Sequence, residues 1–194
     1  MVIHLAPHQH ILLNTASSIL ERRIVNVSRD CEARLVPTGD PITIPSGSFV
    51  TLTQALGSSF TVIVNNNMAR IAGRDADAIG QQTLHLQLPV SAVKDGIDPA
   101  QVDFALRSVF DPEIPVNIVD LGLIYRVEID GDTVTIDMAL TSPGCGMGPV
   151  LVEEVKDRVS TVPKVAQLDV RLVLDPPWSR DRMSEEAQLE LGVF

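Results

Sequence analysis

The sequence predicts an α+β protein in two parts, a small all-β region over residues 24–90 and a two-layer domain over residues 97–194 built as helix, strand, strand, helix, strand. Three observations carry this reading. Short β-branched runs broken by Pro, Gly and Asn fill the first part. A strict apolar–polar alternation runs through Tyr125 to Leu140, and two helical apolar stripes flank it.

In the first part, Ile42-Thr43-Ile44, Phe49-Val50-Thr51-Leu52 and Phe60-Thr61-Val62-Ile63-Val64 read as strands. Asn65-Asn66-Asn67 suits a hairpin leading to Met68-Ala69-Arg70-Ile71, because Asn tolerates positive φ. Asp75 and Asp77, within Gly73-Arg74-Asp75-Ala76-Asp77-Ala78-Ile79-Gly80, either hold a cation or sit in a solvated loop. Ahead of this part, residues 1–23 read as a tail or extension. Residues 11–23 carry a rough helical period through Leu12, Ala16, Ile19 and Leu20, and His8 and His10 form a terminal His-x-His that is either a metal pair or a solvated tail.

Residues 89–96 read as a linker. Asp98-Pro99-Ala100-Gln101 then announces a helix, with an acid at the cap, proline at the first helical position and glutamine at the third. Val102, Ala105, Leu106 and Val109 share its buried face, and Asp111-Pro112 stops it. Tyr125, Val127 and Ile129 alternate with Arg126, Glu128 and Asp130; Gly131 turns the chain; Val134, Ile136, Met138 and Leu140 alternate again, which is a β-hairpin. Pro149 opens a second helix with Leu151, Val152, Val155 and Val159 inward, and residues 165–174 form a third strand through Leu168, Val170 and Leu172. Two helices over one face of a three-stranded mixed sheet bury all of these stripes. Asp175-Pro176-Pro177-Trp178 ends the last strand, and Ser184 caps a short helix whose first turn holds Glu185 and Glu186.

A formal charge of −10 without any polybasic run points away from nucleic acid and anionic lipid as partners. No apolar run approaches the roughly 20 residues of a membrane span, and no secretory leader is read at the N-terminus, so the expected compartment is the cytoplasm. Cys31 and Cys145 are the two cysteines. In a reducing compartment such a pair reads as free thiols or metal ligands before it reads as a bridge.

The chemistry concentrates in Thr141-Ser142-Pro143-Gly144-Cys145-Gly146-Met147-Gly148-Pro149, the connection from the hairpin into the second helix. A thiol just before a helix N-terminus meets the positive end of the helix dipole and unpaired N–H groups, both of which favour thiolate. Gly144, Gly146 and Gly148 clear side-chain bulk around the sulfur. The competing reading is a small buried cysteine in an ordinary turn. Thr141 either hydrogen-bonds a sulfur or satisfies the turn backbone. Asp111 and Glu113, bracketing Pro112, either accept from loop N–H groups or act on a bound metal.

Taken together, Asp111-Pro112-Glu113-Ile114-Pro115, Asp120-Leu121-Gly122-Leu123, the hairpin, Thr141, Cys145 and Trp178 resemble the metal–sulfur cluster biosynthetic domain. Arg29-Asp30-Cys31, Thr53-Gln54-Ala55-Leu56-Gly57 and the Asp75–Gly80 stretch look like the extended SufT-type proteins of that family. The resemblance implies an iron–sulfur-cluster-assembly-like fold and a role in maturing iron–sulfur proteins. It also implies that Cys145 is the reactive cysteine, with Asp111 and Thr141 in the same pattern.

Iron–sulfur clusters usually take four cysteines, so two cannot encase one in a single chain. The expectation is therefore a transient cluster shared across a homodimer through Cys145, helped by Cys31 or an external thiol, with scaffold and client apo-proteins as partners and no enzymatic turnover. One alternative is a metal-free adaptor between scaffold and client. The other is a cysteine-nucleophile enzyme, which needs a base such as His85 beside Cys145.

Overall fold

The computed structural model describes residues 2–3, 22–57, 59–82, 86–142 and 145–193. The helix expected over residues 11–23 falls almost wholly outside this set, as do His8, His10 and His85; Arg23 itself begins a strand. The chain divides into two compact units, residues 5–85 and residues 1–4 with 86–194.

Among its described residues the first unit is all-β, as the sequence of residues 24–90 predicts. Its strands are β2 (Arg23–Asn26), β3 (Cys31–Leu35), β4 (Pro41–Ile44), β5 (Phe49–Leu56), β6 (Ser59–Val64) and β7 (Asn67–Ala72), in the sheet order β2-β5-β6-β7-β3-β4. β6 and β7 meet in a two-residue hairpin whose Asn65 and Asn66 have φ of 49° and 63°, the left-handed pair that a tight antiparallel turn needs. Val27, Cys31, Ile44, Phe60, Val62 and Ile71 fill the core with Ala76, Ala78 and Ile79 of a 3₁₀ turn, Gly73–Ile79. That turn is where the two acids lie, and they serve the fold. Asp75 Oδ1 and Asp77 Oδ1 take Arg29 Nη2 at 3.0 and 2.6 Å, and Asp77 Oδ2 takes Arg29 Nε at 2.8 Å. The guanidinium hydrogen bonds hold the Asp77 carboxyl below its usual range.

The second unit contains α1 (Pro99–Arg107), β8 (Ile124–Asp130), β9 (Thr133–Met138), α2 (Gly148–Val159), β10 (Gln167–Leu172) and α3 (Glu185–Leu191). β8 and β9 are antiparallel and β10 lies parallel to β9. A fourth strand is new: β1 (Val2–Ile3) pairs antiparallel with Glu128 and Val127 of β8. The N-terminal stretch is thus not wholly a tail. It satisfies backbone groups along an edge that would otherwise stand open. Val127, Ile129, Val134, Ile136 and Met138 point to the buried face of the sheet; α2 packs against β10, and α1 packs against α2. Arg126, Glu128 and Asp137 form ion pairs on the other face.

Asp98 caps α1 by accepting from Ala100 N–H at 2.9 Å. Its second oxygen accepts from Ser91 Oγ and Ala92 N–H, both at 2.9 Å, and Gln101 reaches the Pro89 carbonyl at 2.7 Å rather than closing a capping box. The expected linker is therefore strapped to α1. Burial opposes the Asp98 charge, but this set of donors outweighs it and holds the carboxyl below its usual range.

Candidate functional site

Three segments of the second unit build one concavity. The first is the loop after α1. Asp111, 6 % exposed, accepts from the N–H groups of Glu113 and Ile114, both at 2.9 Å, while its own N–H donates to Val116. Asp111 therefore closes a tight loop that presents Ile114, and Glu113 enters that closure through its backbone N–H while its residue is exposed.

The second segment is Asp120-Leu121-Gly122. Asp120 accepts from Arg107 Nη1 at 2.6 Å and from Asn117 Nδ2 at 2.6 Å, and Arg107 Nε also holds Asp103 at 3.0 Å. Burial pushes the Asp103 carboxyl up against the pull of Arg107. Gly122 has φ +70°, and a Cβ there would stand 2.1 Å from the carbonyl oxygen of Arg182. Only glycine permits that approach.

The third segment is the C-terminal stretch that approaches Gly122. Trp178 Nε1 donates to the Leu121 carbonyl at 2.7 Å, Arg182 lies 3.8 Å over the Tyr125 ring, and Ser184 N–H donates to the Asp120 carbonyl at 2.8 Å. Ser184 then caps α3 by accepting from Ala187 N–H.

These segments, together with Thr141 of the connection from β9 to α2, enclose a pocket of about 220 Å³ whose walls include Ile114, Leu121, Thr141, Trp178, Met183 and Leu191. Four blocks picked out along the sequence thus converge here: the Asp-Pro-Glu loop, Asp-Leu-Gly, Thr141 and Trp178. Met183 and Leu191 were missed, because Ser184 signals a helix start but nothing local shows where that helix docks.

Thr141 also opens the loop that carries Cys145. Cys145 N–H donates to the Ser142 carbonyl at 3.3 Å, and its carbonyl accepts from Gly148 N–H at 3.1 Å, so the cysteine sits in the turn immediately before α2. Met147 is fully buried at the helix cap, and Cys145 is half-buried. Gly148 is tight for a packing reason: a Cβ there would stand 2.8 Å from Leu140 Cδ1 and 3.3 Å from Leu172 Cδ1. The closely packed helix start anchors the loop from its downstream side.

Cys31 belongs to the other unit. It is 0 % exposed in the β core, and burial pushes its thiol up to about 11. That is the environment of a protonated core thiol rather than of an accessible metal ligand, and it speaks against the expectation that Cys31 helps Cys145. Among the described residues no group of three or more His, Cys, Asp or Glu side chains is arranged to hold a metal ion.

The iron–sulfur cluster assembly protein family matches residues 99–170, from the start of α1 into β10. A Staphylococcus aureus protein named Fe-S protein maturation auxiliary factor SufT is 45 % identical over 86 residues, 44 % of this chain and 98 % of that protein. The chain belongs to this SufT-type family. The Bacillus subtilis maturation auxiliary factor YitW is 48 % identical over 90 residues, covering 46 % of this chain and 88 % of the relative. A crystal structure of a DUF59 domain from Bacillus anthracis is 44 % identical, covers 46 % of this chain and 87 % of that one, and superposes with a TM-score of 0.45. In this SufT-type chain the first, all-β unit lies outside the residues that the family matches.

Proposed function

We propose that this protein is a cytoplasmic, non-enzymatic maturation factor that helps carry an iron–sulfur cluster to client apo-proteins, with Cys145 as the thiol that contacts the cargo. The observation that carries this reading is the convergence of Ile114, Leu121, Thr141 and Trp178 on one pocket, with Thr141 leading directly into the Cys145 turn. The maturation-factor names of its relatives point the same way, as does an iron–sulfur cluster carrier from Synechocystis that is 35 % identical over 82 residues, 23 % of that larger protein.

The cluster is cargo in this reading. One thiolate is far short of the usual four ligands, so the others come from outside the chain: Cys145 of a second copy, a scaffold or client cysteine, or a small thiol. Incomplete ligation keeps the cluster exchangeable. Asp111 acts here as a positioning residue, since its two backbone hydrogen bonds set Ile114 on the pocket wall.

The lack of a multidentate ligand group among the described residues favours one second reading, a metal-free adaptor that docks scaffold and client. Cells dependent on this protein decide whether the thiol matters. Cys145→Ser is expected to abolish support of iron–sulfur enzyme activity at unchanged protein level, and full support by Cys145→Ser removes the thiol from the mechanism.

A further inference from the structure

Among the described residues β10 closes the sheet order β1-β8-β9-β10 as an open edge. Gln167 and Val173 donate their N–H groups to the carbonyls of Asp132, just before β9, and Met138, at its end. Backbone groups alternate sides along a strand, so those of Leu168, Val170 and Leu172 point out of the sheet. The side chains are unfinished in the same place. On β9 the inward Val134, Ile136 and Met138 are each 0 % exposed, whereas on β10 Leu168 and Val170 are only half-buried and Leu172 is 40 % exposed. Natural edges are commonly blunted by a proline, a bulge or an inward charge. Gln167–Leu172 has none of these; its charges, Asp169 and Arg171, lie on the solvent face and pair along the strand at 2.7 Å.

We propose that β10 pairs with β10 of a second copy of this chain, antiparallel and centred on Val170. The charge pattern selects that register. Centred on Val170, Asp169 of each copy faces Arg171 of the other, Leu168 faces Leu172, and every outward N–H and C=O of the three central residues finds a partner. Centring on Asp169 sets two carboxylates opposite each other, and centring on Arg171 sets two guanidiniums opposite each other. Two-fold symmetry makes the contact self-complementary and closes the edge of both sheets at once.

This pairing goes beyond the reading of Cys145 and stands without it, but it bears on that reading. Leu172 packs by Gly148, three residues past Cys145. In the Val170-centred pair the two Leu172 lie four strand steps apart, about 14 Å, with the Cys145 loops toward opposite ends. The dimer then carries two separate thiols, and each cluster is completed by a client, a scaffold or a small thiol rather than by the sister chain.

Sedimentation velocity on the full chain tests the pairing by charge exchange. Wild type is expected to dimerise. Asp169→Arg and Arg171→Asp each place like charges across the two-fold and are expected to raise the dimer dissociation constant by about tenfold or more. Mixing the two single variants restores both ion pairs in a heterodimer, and the double exchange Asp169→Arg/Arg171→Asp restores them in a homodimer. A monomeric wild type, single variants that dimerise as well as wild type, or a mixture that fails to associate overturns the proposal. Hydrogen exchange on wild type serves if a variant misfolds: the Leu168, Val170 and Leu172 amides gain protection with concentration, and unchanged exchange contradicts the pairing. None of these outcomes depends on cluster chemistry, so failure here leaves the Cys145 reading to its own test.

Discussion

The two units treat their chemically capable residues in opposite ways. In the β unit Cys31 is sealed in the core with its thiol pushed up to about 11, and the paired acids Asp75 and Asp77 are bound by Arg29 of the same unit. In the α+β unit Cys145 is half-buried in a turn, and the pocket walled by Thr141 and Trp178 is open enough to have a volume of about 220 Å³. A cysteine closes the core of one unit and stands half-buried in a turn of the other. A cysteine or an acid pair gains a functional meaning only from what surrounds it.

The largest contrast lies in thiol reactivity. A thiol-specific probe at neutral pH is expected to modify Cys145 in the native protein at least about a thousandfold faster than Cys31, because the core cysteine reacts only through opening events that cost roughly 4–5 kcal/mol or more. Mass spectrometry of the two peptides reads both rates, and equal rates would erase the distinction between the units. The raised Cys31 pKa adds a pH dependence. A buried thiol with its folded pKa above the unfolded value stabilises fully below about 8.5, the unfolded value, and that contribution fades as pH rises towards about 11. Alkaline loss of stability in the β unit that vanishes in Cys31→Ala is the expected signature.

A smaller effect probes the pocket. Gly122→Val places a branched side chain at φ +70° and 2.1 Å from the Arg182 carbonyl, so it is expected to cost about 3 kcal/mol or more and to detach the C-terminal stretch. Quenching and shift of the single tryptophan, Trp178, report that detachment directly, and an unchanged spectrum with unchanged stability would contradict the packing. Smaller again is Asp98→Ala, expected to cost about 1 kcal/mol through loss of the α1 cap. Asp98 has a depressed carboxyl, so its stabilisation is present above its unfolded pKa near 3.8 and is lost as pH falls through its lower folded value. Acid titrations of wild type and Asp98→Ala should converge below that point.

Much of this architecture is local chemistry and was readable as such. Asp98-Pro99, Pro149 and Ser184 each mark a helix start found within a residue, and Asn65-Asn66 forms the hairpin that its tolerance of positive φ predicts. β3 was missed although Cys31, Ala33 and Leu35 alternate with Glu32 and Arg34, and that period of two would also have placed Cys31 inward. Other features had no local signal. Arg29 meets Asp77 across 48 residues, and a two-residue strand such as Val2–Ile3 has no periodicity to detect. The docking of Met183 and Leu191 follows from the backbone approach of Arg182 to Gly122, which a sequence records only as a glycine.

Anaerobic reconstitution with iron and sulfide, followed by absorption and native mass measurement, tests the central claim most directly by setting the two cysteines against each other. Wild type and Cys31→Ala are expected to take up the same weakly held cluster in the presence of a small thiol, and Cys145→Ser is expected to take up none. A cluster that survives Cys145→Ser, or one that is lost in a folded Cys31→Ala protein, would contradict the assignment of Cys145 as the working thiol.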